Sequence, residues 1–215
     1  NMPNLRNIST SVQQVAEAVS IALGVEVEIV DNKLNIIGGT GVYADRVGQK
    51  EERGNLEGNY LYARVLRTGE TQYVADARKA MDYDEKGAEG TVSGECAEIC
   101  TPIILRDQIL GIIGLVAFTE EQGKILADTN RNMIGFVERM ADLLAAKADQ
   151  QRTLETTQVS RDEMSTVLET AHEGLFALNQ KGYVKHCNNI AAELFDTTKK
   201  DLIGKHISEL MPGSP

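Results

Sequence analysis

The chain has no tryptophan, only four phenylalanines and six tyrosines, so any pocket it builds has few aromatic walls to draw on. That scarcity makes Tyr43, Tyr60, Tyr62 and Tyr83 the polar-tipped side chains expected to line one. Basic residues are short as well: 22 Lys and Arg against 32 Asp and Glu leave a formal charge of −10, and no Lys/Arg cluster stands out. Because phosphate neutralisation supplies most non-specific affinity for nucleic acid, this segment is not expected to grip DNA. Cysteine is limited to Cys96, Cys100 and Cys187, unevenly spread and with no signal peptide ahead of them. That usage fits a reducing cytoplasm better than a disulfide framework. The longest apolar stretches, such as Ile109 to Phe118, run to about ten residues and carry glycines, well short of the roughly 20 that a membrane-spanning helix needs. A cytoplasmic protein without membrane contact is the expectation. Catalytic signatures are missing too: there is no Ser/His/Asp grouping, no Walker lysine and no HExxH, and all three histidines follow residue 170. An enzyme is therefore not expected. Asn1, ahead of Met2, reads as a leftover of recombinant expression and is set aside.

What is present is a clear change of hydrophobic period along the chain. Ile8, Val12, Val15, Val19, Ala22 and Leu23 recur at helical spacing, and Gly24 offers a stop. Val25 to Val30 and Leu34 to Ile37 read as strands joined through Asp31-Asn32-Lys33, which suggests a hairpin. A helix over Asn59 to Leu66 ends at Thr68-Gly69, and Thr71 to Val74 reads as a strand. Asp76 to Glu95 is polar and is expected to be a loop. Ile99 to Leu105 and Ile109 to Phe118 are apolar enough to lie centrally in a sheet. Thr119-Glu120-Glu121-Gln122 then offers a capping box for one long helix. Within it a seven-residue frame puts Met133, Phe136, Met140 and Leu143 on one seam, widened by Ile134, Val137 and Leu144. The seam continues through Lys147, Gln150, Leu154, Thr157, Arg161, Met164, Leu168 and Ala171, so it is polar in the middle. A connector helix that pairs loosely with a second copy is expected, with Met133, Phe136, Val137, Met140, Leu143 and Leu144 at the interface of a homodimer. After His172-Glu173-Gly174 the strands Leu175 to Leu178 and Tyr183 to Cys187 return, followed by short helices at Asn189 to Phe195 and Lys199 to Ile203.

Several motifs admit competing readings. Gly39-Thr40-Gly41 follows a strand, as a dinucleotide fingerprint would, but Ala44 replaces the third glycine and the opening hairpin excludes a parallel start, so an ordinary loop is expected. Cys96 and Cys100 are spaced as two metal ligands could be. On a strand, however, four residues at ~3.3 Å each separate them by roughly 13 Å, which forbids a disulfide or a shared metal. Packing residues, a redox-responsive thiol and a metal site remain the alternatives there. Arg64 shares a helix face with Tyr60 and is a candidate contact for an anionic ligand, against the plainer reading of a solvated arginine. The candidate ligand-binding set is thus Tyr43, Tyr60, Arg64, Tyr83, Cys96 and Cys100; no catalytic or metal site is assigned and no cofactor is identified.

The run YLYARVLRTGETQYVAD from Tyr60 to Asp76, joined later to TPIILRDQILGIIGLVAF from Thr101 to Phe118, resembles the GAF domain family. The resemblance covers roughly Leu5 to Leu144. It implies an α+β fold in which a central antiparallel sheet carries the terminal helices on one face and a small-molecule pocket under loops on the other. From Met164 onward, Glu173-Gly174, the turn at Gly182, Asn188-Asn189 with Ala191-Ala192, and Leu202-Ile203-Gly204-Lys205 look like the opening half of a PAS domain. There the resemblance implies that Asn188 knits a strand to the next helix. The expected organisation is a GAF-like domain over 1–144, a connector helix over 145–163 and a partial PAS-like α+β domain over 164–215. That order is similar to the sensory front end of sigma-54-dependent transcriptional activators, which implies ATPase and helix-turn-helix output domains and an unidentified small-molecule ligand. Sensor histidine kinases share the same front end, and a purely structural dimerisation module is the remaining alternative.

Overall fold

The computed structural model describes residues 2–77, 94–128, 132–170 and 173–211, with the side chains of 167, 168 and 170 outside that description. Tyr83, Leu168, Ala171 and His172, singled out above, lie outside the described residues or side chains. The chain divides into two compact units, Asn1–Thr153 and Leu154–Pro215.

In the first unit, helix α1 (Ser9–Leu23) buries Val12, Ala16 and Val19 and stops at Gly24, whose φ of 74° is open to glycine and strained for other residues. Strands β1 (Glu26–Asp31) and β2 (Ile36–Gly39) form the expected hairpin. Its turn is held by the Asp31 carboxylate, which accepts the backbone amides of Lys33 and Asn35 at 2.9 Å each and pairs with Arg6 at 2.8 Å. Two short 3-10 turns at Gly41–Arg46 and Glu51–Gly54 lead to helix α2 (Leu61–Thr68) and the short strand β3 (Gln72–Val74). Strands β4 (Ala97–Leu105) and β5 (Gln108–Ala117) pair along their whole length. The result is a five-stranded antiparallel sheet in the order β2-β1-β5-β4-β3. The fold is therefore α+β, with the long apolar strands central and the short strands at the edges, where unpaired backbone is least hazardous.

Helix α3 (Glu120–Ala127) starts as its sequence suggests: the Thr119 hydroxyl accepts the Gln122 amide at 3.2 Å. The Gln122 side chain reaches back one residue further than a capping box requires, to the Phe118 amide at 2.8 Å. One continuous helix from Thr119 is not formed. Asp128 leaves the helical region, and Asn132, at φ 45°, caps a new start by accepting the Gly135 amide at 3.2 Å; helix α4 then runs Met133–Thr170.

The sheet separates two cores. On one face Val27, Ile29, Ile99, Ile113 and Leu115 pack with α1 and with a stripe of α4. That stripe is Met133, Val137, Ala141, Leu144, Ala145 and Ala148, which repeats at the 3.6-residue period of a helix laid on a sheet. The seven-residue frame is thereby redistributed. Met133, Val137 and Leu144 are buried in their own domain, Phe136 and Met140 are half-buried against the same core, and Leu143 alone of the six expected interface residues is exposed. On the opposite face a smaller core joins Val30, Leu34, Ile112 and Cys100 to Tyr62 and Val65 of α2.

In the second unit, β6 (Phe176–Leu178) and β7 (Val184–Cys187) form a two-stranded antiparallel sheet. Helices α5 (Asn189–Leu194), α6 (Lys199–Leu202) and α7 (Ile207–Leu210) follow. Its core is small: Val184, Cys187, Ala191, Ala192 and Leu202. Buried Asn188 ties it together by accepting the amides of Leu175 at 3.0 Å and Ala191 at 2.9 Å and donating to the Glu173 carbonyl at 2.8 Å.

Candidate functional site

Side chains alternate across a strand, so the residues facing away from α1 and α4 can be read off the register. Glu28 of β1, Gly114 of β5 and Cys100 of β4 sit side by side in one row, with Glu98 one step diagonal to it. A Cβ built on Gly114 would lie 2.3 Å from the Tyr62 hydroxyl, so glycine is required there for α2 to set that phenol against the sheet. The segment Gly41–Gly54 folds over the same face and brings Tyr43, Arg46, Glu51 and Glu52. Glu95, just ahead of β4, accepts the Tyr43 phenol at 2.5 Å.

Five carboxyls therefore gather beneath a covering segment, four of them buried: Glu28, Glu51, Glu52 and Glu98. Each is held in place differently. Glu52 receives the amides of Tyr62 and Ala63 at 2.7 and 2.9 Å, so it caps the start of α2. Arg46 Nη1 forms an ion pair with Glu51 Oε2 at 3.0 Å. Cys100 Sγ donates to Glu98 Oε1 at 3.0 Å. Glu28 is near enough to Glu51 for a proton to be held between them. Even so, among the described residues no aligned hydrogen bond reaches Glu28 Oε1 or the Tyr62 hydroxyl, although the latter lies beside Glu98.

Among the described residues Arg46 pairs with Glu51 and the Arg64 charge acts on Glu52, so carboxyls outnumber cations, and burial removes water as a substitute. The carboxyls respond by holding protons. Burial, and then the Glu51 charge, push Glu28 well above the usual carboxylate range; burial, and then Glu95, do the same to Glu98. Burial also raises Glu51, and raises Glu52 and Glu95 to about 7. The Tyr43 and Tyr62 phenols and the Cys100 thiol are pushed up chiefly by burial too, so all three stay protonated and serve as donors. The arrangement is a buried, acceptor-rich surface that can exchange protons or receive donors; no group in it is set up as a nucleophile.

Of the residues singled out from sequence, Tyr43 and Cys100 are in this cluster, and so is Tyr62. Tyr60 and Arg64 are half-buried at the outer side of α2, where Arg64 donates to the Asn59 carbonyl at 3.4 Å. Cys96 turns away and meets the Phe118 carbonyl at 3.3 Å. Among the described residues no set of three or more His, Cys, Asp or Glu side chains is arranged to hold a metal ion. The five glutamates were not anticipated. Glu26-Val27-Glu28-Ile29 reads as a strand with one wet face, and the acidic side shows itself as covered only once Gly41–Gly54 and α2 lie over it.

Comparison with known proteins places these elements. Residues 5–146 match the GAF domain and residues 162–214 the PAS fold. UacR of Escherichia coli (strain K12), provisionally named a uric acid sigma-54-dependent transcriptional regulator, is 29% identical over 212 residues, covering 94% of this chain but 33% of its own length. The chain thus spans about a third of that relative. The crystal structure of the E. coli DhaR(N)-DhaL complex superposes with a TM-score of 0.57 at 14% identity, over 95% of this chain and 70% of that one. The blue-light absorbing form of the Thermosynechococcus elongatus PixJ GAF domain gives 0.53 at 14% identity, over 74% of this chain and 95% of that one. Both likenesses concern the fold. No helix among the described residues is long and apolar enough to cross a membrane. With most of its length matched, the chain belongs to the GAF domain family and carries a PAS fold after it.

Proposed function

We propose that this chain is the non-catalytic sensory region of a sigma-54-dependent transcriptional regulator, in which a small molecule seated on the covered polar face of the GAF sheet alters how α4 and its surroundings are presented to later domains. The observation that carries this reading is the buried carboxyl cluster, in which Glu28 Oε1 has no hydrogen-bond partner among the described residues. A domain that only needed stability would fill that face with apolar side chains, since each unsatisfied buried polar group costs about 1–3 kcal/mol. The relationship to UacR supports the regulatory setting and makes uric acid the first ligand to try. Thermal melting of the chain titrated with urate and a panel of small metabolites is the test. A saturable rise in melting temperature is expected with at least one compound, as ligand linkage requires. No response across the panel would overturn the reading.

Signal transfer in this reading uses a homodimer. With most of the α4 stripe committed to its own sheet, the exposed large apolar residues of α1 and of the first-unit part of α4 are Ile21, Ile134 and Leu143. Val15, Ala18, Leu143 and Lys147 border a groove of about 240 Å³ between the two helices. A two-fold contact reuses one such patch on both chains. Light scattering at low micromolar concentration should give the mass of two chains.

A further inference from the structure

We infer that the segment Gly41–Gly54 is a proton-operated cover, hinged along β2 and latched on its far side by a proton that Glu51 shares with Glu28 of β1. The device holds whether or not a ligand sits beneath it. Two kinds of contact fix the segment. Along β2 the ties are backbone: Gly48 donates to the Ile36 carbonyl at 2.8 Å, Ile36 to that of Gln49 at 2.9 Å, and Glu51 to that of Leu34 at 2.8 Å. These bonds do not titrate. Further across the sheet the ties are side chains: Tyr43 donates to Glu95 at 2.5 Å, Glu52 accepts the amides of Tyr62 and Ala63, and Glu51 meets Glu28. The last contact joins two acids, so it lasts only while a proton lies between them.

Both acids are shut away from water, Glu28 at 2% exposure and Glu51 at 5%. Burial raises Glu28 well above the usual carboxylate range, and the charges of Glu51, Glu98 and Glu95 add to the effect. The Tyr62 phenol on α2 and the Cys100 thiol on β4 are kept neutral by burial, and Arg64 acts on Glu52. Arg46 pairs with Glu51 but belongs to the same segment, so the two can lift together and leave Glu28 on its strand. Immediately after Glu51, Glu52 and Arg53 sit at φ 48° and 55°, a left-handed conformation that residues other than glycine keep only under constraint. Once the shared proton leaves, Glu28 and Glu51 repel across a site with little water to screen them. The Tyr43–Glu95 bond resists, one contact against repulsion among Glu28, Glu51, Glu95 and Glu98. The segment then swings about its β2 ties and carries Tyr43 into solvent.

The test is NMR on the 215-residue chain with isotope-labelled tyrosine and a soluble gadolinium chelate, at about pH 6 and about pH 8.5. Tyr43→Phe identifies the Tyr43 signal. Tyr43 is 0% exposed and Tyr73 39%, so at the lower pH the chelate should broaden Tyr73 and spare Tyr43. At the higher pH the relaxation enhancement at Tyr43 should rise at least about threefold while the amide signals of β4 and β5 hold their positions. Glu28→Gln cannot take up the second charge yet can still donate to Glu51, so it should keep Tyr43 sheltered at both pH values. Glu51→Gln removes the charge from the moving side and should do the same, which leaves a working variant if the other misfolds. A Tyr43 signal sheltered at both pH values in the parent chain would overturn the proposal, as would opening in a folded Gln variant as large as the parent's. Loss of the β4 and β5 signals along with the shelter of Tyr43 would overturn it too, because the whole domain would then be unfolding.

Discussion

Gly114 and Tyr62 are the two residues on which the covered face turns. The phenol is set against a backbone position that tolerates no Cβ, so Gly114→Ala should cost roughly 2 kcal/mol through overpacking. In a Tyr62→Phe background, where the obstructing oxygen is gone, the same change should cost about half as much; a double-mutant cycle by urea denaturation measures the difference. Equal costs in the two backgrounds would place the strain elsewhere. The glutamates give the domain an unusual response to pH. Burial raises Glu28, Glu51, Glu52, Glu95 and Glu98 in the folded state, so between the usual carboxylate range and about pH 7 the folded chain binds more protons than the unfolded one. Stability should therefore fall as pH rises through that window. Asp31 works the other way. Burial would raise it, but hydrogen bonds from Asn35, Lys33 and Arg6 outweigh that and hold it low, so its contribution is present above about pH 4 and is lost below. Melting temperature should peak near pH 5 and drop by on the order of 5 °C at pH 8, and Glu28→Gln should flatten the decline. A curve that climbs steadily to pH 8 would contradict the burial of these groups. Little of this was legible in the sequence. Tyr43 and Cys100 drew attention as a scarce phenol and a spaced thiol, whereas an acidic residue alternating with valine carries no mark of which face is covered.

At the scale of elements, the strands were legible because their apolar runs are bounded by turn residues, and the α+β class followed from their order between helices. Helix α4 was harder. Met133, Phe136, Met140 and Leu143 satisfy a seven-residue repeat over about three turns, and over so short a stretch the 3.6-residue stripe Met133, Val137, Ala141, Leu144 starts at the same residue and then runs only one position away from it. Tertiary packing decides between them, and here the sheet takes the stripe. The break before α4 was missed because the Thr119 cap announces where a helix starts and says nothing of where it ends. Two substitutions separate the roles of neighbouring α4 positions. Val137→Asp places a charge in a fully buried site and should cost at least about 4 kcal/mol, seen as loss of cooperative melting. Leu143→Asp should leave the melting temperature within about 2 °C of the parent chain while converting the proposed dimer to monomer in light scattering. A destabilised Leu143→Asp monomer would mean that this leucine belongs to the domain's own core.

Across the whole molecule the two units differ in how much core they own. The first has a five-stranded sheet packed on both faces; the second has a two-stranded sheet over five small or medium side chains, with Asn188 supplying much of its cross-linking. A two-stranded sheet is marginal alone. Amides of residues 176–187 should exchange with deuterium at least tenfold faster than those of Ile103 to Val116, and comparable protection would show that the second unit draws stability from a source beyond its own core. The sheet order of the first unit also bears on the time course of assembly. Strands β4 and β5 are joined by a turn at Arg106-Asp107 and can zip locally, but β1 must find β5 across most of the domain's sequence, as Val27 pairs with Leu115. Closing that long loop comes at an entropic cost before any pairing repays it. Refolding should then be limited by the docking of the β1–β2 hairpin: conservative truncations in the β4–β5 hairpin would slow folding, and those at Val27 or Ile29 would mainly hasten unfolding. Between those steps the growing sheet exposes one edge of β5, so the interval in which β1 is still absent is when the chain is most open to pairing with another copy of itself.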